Sequence, residues 1–182
     1  MRNVVLVIAV FVAIFLTPGT TNAQNKVRVL GNLSRIKHDP EHAYGYALQL
    51  WRKGSRVFGL LLVYTSTPYD PPIGILEDVK FDPRTRHLSF TARLTTGLMY
   101  SREYSGVPSR DRFKFKGVLR RGRVIGTLTR SDDLFPNQPP TKERIRLRWS
   151  QSMTEVMIPP PTTYGAWKTW ADESLQRNGP KW

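Results

Sequence analysis

The chain has 182 residues, no cysteine, and 28 Lys plus Arg against 14 Asp plus Glu, a formal net charge of +14. Without cysteine there are no disulfides, no thiolate chemistry, no Cys-based metal site and no lipid-modified cysteine, so packing and strand pairing must hold the chain by themselves. The excess of base predicts attraction to polyanions and sets nucleotide-type motifs, none of which occurs, behind surface electrostatics.

Residues 1–23 read as a cleavable secretion signal. Arg2 gives a positive start, Val4 to Leu16 form an apolar run of 13, and Pro18-Gly19 break it ahead of the small-residue site Thr21-Asn22-Ala23. That run is short of the roughly 20 residues a membrane-crossing helix needs, and no later stretch supplies one. The reading predicts cleavage near Ala23, a periplasmic or secreted mature chain without a transmembrane span, and a bacterial envelope as its setting. Loss of Arg2 leaves 27 Lys plus Arg, 18 of them Arg, and a formal +13 over 159 residues, enough for one domain.

Residues 24–42 read as a polar N-terminal arm, with at most a short strand over Lys26 to Leu30. Residues 43–150 then alternate short strands with turn chemistry, the pattern of an antiparallel barrel or sandwich. Tyr44 to Trp51 places Tyr44, Tyr46, Leu48 and Leu50 on one face, and Lys53-Gly54-Ser55 turns the chain into Arg56 to Tyr64, which is apolar on both faces and so fits a central strand or one whose outer face is covered. After the loop bearing Pro68, Pro71 and Pro72, Ile73 to Phe81 and Arg86 to Leu94 are joined through Asp82-Pro83-Arg84-Thr85. Leu98 to Tyr104 is ambiguous between strand and loop. Asp111 to Leu119 and Arg123 to Arg130 form a hairpin closed by a three-residue turn, Arg120-Arg121-Gly122, and Glu143 to Trp149 is the last strand.

Residues 151–163 are a Pro-rich linker containing Pro159-Pro160-Pro161. Residues 164–182 hold an amphipathic helix and tail; Thr162 or Thr163 caps a helix over Tyr164 to Arg177, with Trp167, Trp170, Ala171, Ser174 and Leu175 on one face.

Two strands have one dry face and one cationic face. Phe113 and Phe115 alternate with Arg112, Lys114 and Lys116, and Ile145, Leu147 and Trp149 alternate with Arg144, Arg146 and Arg148. Lys114, Lys116, Arg144, Arg146 and Arg148, together with Arg120 and Arg121 at the hairpin tip, are candidate anion-binding residues; a solvated outer wall is the competing explanation. Tyr46, Leu48, Phe90, Phe113, Phe115 and Leu147 are candidates to line a cavity or to fill a solid core. Trp51, Trp149, Trp167 and Trp170 fit either ligand stacking or ordinary packing.

His38-Asp39-Pro40-Glu41-His42 is the one metal-like cluster, and Pro40 disfavours the helix that would bring its histidines together. Glu77 and Asp78 are adjacent on a strand, and Asp132 and Asp133 fit a turn. No Gly-x-Ser-x-Gly elbow, His-Glu-x-x-His helix, phosphate loop or dinucleotide fingerprint is present. No catalytic, metal or cofactor residue is therefore assigned.

The succession of antiparallel strands, glycine near strand centres at Gly45, Gly59, Gly74, Gly117 and Gly126, and one terminal helix resemble the calycin-like group, the lipocalins and their relatives, across Ala43 to Arg177. No Gly-x-Trp opens the first strand, and no ligand set is carried over. The resemblance implies a mainly β fold, an antiparallel up-and-down barrel of about eight strands with a C-terminal helix, a β-sandwich being the alternative. The function expected is a non-catalytic exported binding module. It would contact an apolar small ligand in the barrel, or anionic lipid, lipopolysaccharide or wall polymer through a basic outer wall, with nucleic acid disfavoured. An envelope-polymer hydrolase using His42 or His87, and a structural protein docking a partner through its helix, are the alternatives.

Overall fold

The computed structural model describes residues 26–39, 41–65, 71–94, 98–99, 107–108, 111–150 and 161–177. The leader over 1–23, most of the 98–104 strand candidate, the greater part of the linker and the tail after Arg177 lie outside them. Ten strands precede one helix among the described residues: β1 Arg28–His38, β2 Ala43–Lys53, β3 Arg56–Tyr64, β4 Ile73–Phe81, β5 His87–Leu94, β6 Leu98–Met99, β7 Val107–Pro108, β8 Asp111–Arg120, β9 Arg123–Asp132, β10 Thr141–Trp149 and α1 Tyr164–Arg177.

Eight strands close into an antiparallel barrel in the order β1-β10-β9-β8-β5-β4-β3-β2, while β6 and β7 pair as a separate two-stranded ribbon. Closure through Leu33↔Trp149 and Ser34↔Arg148 excludes the sandwich alternative. The eighth strand is β1, which occupies most of the stretch expected to be an arm. Its pairing with β2 runs from Arg28↔Arg52 to His38↔Ala43, and Asp39 turns the chain by accepting the backbone N–H of His42 at 2.7 Å. Its inward side carries Leu33 but also Arg35 and Lys37 at the barrel end, so the polar–apolar contrast of an ordinary barrel strand is missing.

Two other expectations are corrected. Arg120 pairs with Arg123, so the β8–β9 turn has two residues, Arg121 at φ 30° and Gly122 at φ 72°, the conformation of a type I′ hairpin. The last strand begins at Thr141, two residues before the expected start.

The alternation of side chains builds two apolar cores. Inside the barrel, Leu33, Leu48, Leu50, Leu61, Leu88, Phe90, Phe113, Phe115, Val124, Leu128, Ile145 and Leu147 pack together, with Phe90 and Phe115 stacked at 5.1 Å. Eight strands enclose about the space that such side chains fill. Outside, Trp51, Phe58, Leu60, Leu62, Tyr64 and Ile75 of β2–β4 form a second core with Trp167 and Ala171 of α1. This helix is the cover that the doubly apolar β3 requires. Thr163 caps it, its Oγ1 accepting the N–H of Ala166 at 3.1 Å.

Candidate functional site

The ring order places β9 four positions from β3, so the two lie on opposite sides of the barrel. Helix α1 seals the wall centred on β3; the wall of β8, β9 and β10 presents the cations. Register sets them in rows: Lys114–Thr129–Lys142, Lys116–Thr127–Arg144 and Arg120–Arg123–Arg148, each read across β8, β9 and β10. All the bases in these rows are exposed, as are Arg146 and the turn residue Arg121.

None of Lys114, Lys116, Arg120, Arg121, Arg144, Arg146 or Arg148 forms an ion pair among the described residues. The carboxylates of residues 111–150 explain why. Asp111, Asp132, Asp133 and Glu143 all lie at the end of the barrel away from the β8–β9 turn, where Asp111 holds Arg130 through two hydrogen bonds of 2.7 and 2.8 Å and Asp133 holds Arg112 at 2.8 Å. The rest of the wall has base without acid.

The interposed β9 sets the cost of this arrangement. Strands spaced by about 4.8 Å put the cations of β8 and β10 about 10 Å apart, close to one Debye length at cellular salt. At that separation two charges repel by about 0.4 kcal/mol in water before screening. Threonines at 127 and 129 fill the space between in the first two rows and keep their repulsion low, whereas in the third row Arg123 stands directly between Arg120 and Arg148, at about half that strand separation, and the repulsion is larger. Arg123, the third cation of the hairpin tip, and Lys142 belong to the same surface; the β9–β10 pairing that brings in Lys142 is not legible in sequence.

At the foot of the wall stands Trp149, 50% exposed beside Gly122. It is separate from the other three tryptophans considered: Trp51, Trp167 and Trp170 pack in the helix–wall core. An exposed indole next to Arg148 and the Arg120–Arg123 hairpin is the chemistry of a polar–apolar boundary.

The six cavity candidates divide. Leu48, Phe90 and Phe115 are buried in the interior core and fill it. Tyr46, Phe113 and Leu147 line a cleft of about 320 Å³ at the acidic end of the barrel, together with Arg35, Lys37, Val63, Arg130, Glu143 and Ile145. Tyr46 donates its hydroxyl to Glu143 Oε2 at 3.0 Å, and its burial, followed by the negative charge of Glu143, pushes its pKa up to about 12.

The histidines and remaining acids are dispersed. His42 sits in the β1–β2 turn with Nδ1 3.2 Å from Asp39, whereas His87 opens β5 at the opposite barrel end. Glu77 accepts both an Nε and an NH2 hydrogen bond from Arg93, and a bulge after it leaves Asp78 at φ 50°. Asp132 serves its turn by accepting the N–H of Leu134 at 2.9 Å.

Comparison with known proteins adds no relative: no family model, no curated protein and no solved structure matches this chain.

Proposed function

We propose that this chain is a non-catalytic, exported binding module of the bacterial envelope that docks on phosphate-bearing lipid through the wall of β8, β9 and β10. The observation that carries the reading is the row of unpaired bases at Lys114, Lys116, Arg144, Arg146 and Arg148, on the side of the barrel opposite the helix. Guanidinium groups match phosphate oxygens in paired hydrogen bonds, and each base near an anionic leaflet contributes about 1 kcal/mol. Trp149 has the inward parity of its strand and supplies an exposed amphipathic ring at the barrel end, beside the hairpin tip of this wall, suited to the headgroup level of a bilayer. The secretion signal read in residues 1–23 supports the compartment, and a place among the calycin-like barrels is part of the same proposal.

The rival readings have less behind them. Helix α1 spends Trp167 and Ala171 on its own barrel, which leaves a narrower face for a partner protein. His42 and His87 at opposite ends do not assemble a hydrolytic constellation with each other.

Sedimentation with vesicles containing phosphatidylglycerol, against vesicles of phosphatidylcholine alone, tests the proposal. Retention on the anionic vesicles at low salt, lost at high salt, is the expected result. Equal retention on both vesicles, or none on either at low salt, overturns it.

A further inference from the structure

The barrel is joined unevenly. Strands β1 and β10 pair only at Leu33↔Trp149 and Ser34↔Arg148, although β1 continues to His38 and β10 begins at Thr141. Over that remaining length each is held by its other neighbour, β1 by β2 and β10 by β9. The two strands therefore part toward the acidic end, and the cleft of about 320 Å³ lies in the gap, with Arg35 and Lys37 on one side and Glu143, Ile145 and Leu147 on the other. This volume is at the small end of ligand pockets.

The lining is divided by depth and by charge. Val63, Phe113, Ile145 and Leu147 are buried members of the interior core and form an apolar floor. At the rim, Arg130 is engaged by Asp111, and Glu143 accepts the Tyr46 hydroxyl. Arg35 and Lys37 are different: both are exposed, both point inward from β1, and neither forms an ion pair among the described residues. Counting Asp111, the rim has three cations to two carboxylates, so one negative charge completes it.

We propose that this cleft binds a small single-chain amphiphile bearing one carboxylate. The carboxylate lies between Arg35 and Lys37, and the chain lies on Phe113, Ile145 and Leu147, entering sideways where β1 and β10 part. The Arg35 guanidinium offers the two-pronged geometry a carboxylate accepts, and Lys37 adds a second charge from two residues along the same face. Glu143 stands on the opposite side, where it repels a second anionic group and restricts the ligand to one. The site is independent of the wall of β8–β10, because none of its lining residues belongs to the wall's cationic rows.

Calorimetric titration of the full chain with decanoate below its micelle concentration, alongside decanol at the same concentration, tests this. Saturable binding of decanoate at one site is expected, with decanol at least about tenfold weaker. The double variant Arg35→Gln, Lys37→Gln should weaken decanoate by about tenfold or more with its thermal unfolding unchanged, since both side chains are exposed. A variant carrying Lys114→Gln, Lys116→Gln, Arg144→Gln and Arg146→Gln should bind decanoate as the parent does. Absence of decanoate binding, equal affinity for decanol, or unchanged affinity in the Arg35/Lys37 variant each overturns the proposal. Parallel loss in the wall variant does so too, by assigning the binding to the other surface.

Discussion

Trp167 of α1 lies edge-on against Trp51 of β2, their ring centroids 5.1 Å apart and their planes inclined by 61°. Both are buried, and Phe58 and Tyr164 extend the cluster along the same seam. The helix is therefore part of the domain's core and not an appendage on a stiff spacer. Trp167→Ala should destabilise the protein by about 3–5 kcal/mol, the range for removing a large buried aromatic. Urea unfolding followed by far-ultraviolet circular dichroism measures it, and a loss below about 1 kcal/mol would contradict the packing described. Truncation after Ser150 should likewise cost the fold and not merely a partner.

Gly117 and Gly126 face each other across β8 and β9, and the ring of Phe115 covers both. A methyl group on Gly117 would sit 2.3 Å from the carbonyl oxygen of Ile125 and 2.5 Å from Phe115 Cζ, so both the ladder and the Phe90–Phe115 stack must shift. Gly117→Ala is expected to cost about 3 kcal/mol. At Gly54 the space is open and only the φ of 58° opposes a side chain, so Gly54→Ala should cost about 1 kcal/mol. Denaturant midpoints of the two variants check the order, which a purely conformational penalty would not produce.

Tyr46 has a built-in pH signature. Its pKa is raised to about 12 in the fold, by burial first and Glu143 second, against about 10 in the unfolded chain. The protonated phenol is thus favoured by folding. Its contribution to stability is present below about pH 10 and is lost as pH rises through 12. Glu143→Gln removes the second cause and keeps the first, so Tyr46 should titrate lower than in the parent but still above the ordinary phenol. Ultraviolet titration of the phenolate, compared with a Tyr46→Phe variant to identify the signal, reads the shift directly. An unchanged titration in the Glu143 variant would show that the negative charge of Glu143 contributes nothing.

Much of this architecture is written in period-two patterns. Phe113 and Phe115, Leu88 and Phe90, and Ile145 and Leu147 alternate with polar neighbours, and all six point into the barrel. The apolar run of β3 fits a central strand or a covered one, and the helix decides for the second. The pattern fails where a strand reaches the barrel end. Arg35 and Lys37 point inward at the cleft, so β1 looks like a solvated arm, and its one informative turn signal, Asp39 before Pro40, stands beside histidines that draw attention to metal chemistry. Tyr44 follows the inward parity of its strand and is nonetheless 46% exposed, because it lines the open cleft. The wall was half legible for a related reason. Parity put Lys114, Lys116, Arg144, Arg146 and Arg148 outward, but only the strand order shows β9 between their two strands and the acids withdrawn to one end.

The decisive question is whether position or mere net charge makes this protein bind anionic lipid. The direct measurement compares two variants of equal charge on phosphatidylglycerol vesicles at low salt. One carries Lys114→Gln, Lys116→Gln, Arg144→Gln and Arg146→Gln; the other carries Lys26→Gln, Lys53→Gln, Arg84→Gln and Lys168→Gln, all exposed or half-buried and off the wall. Docking through β8–β10 predicts a loss of about a hundredfold or more in the first and less than about tenfold in the second. Equal losses in the two would contradict the account.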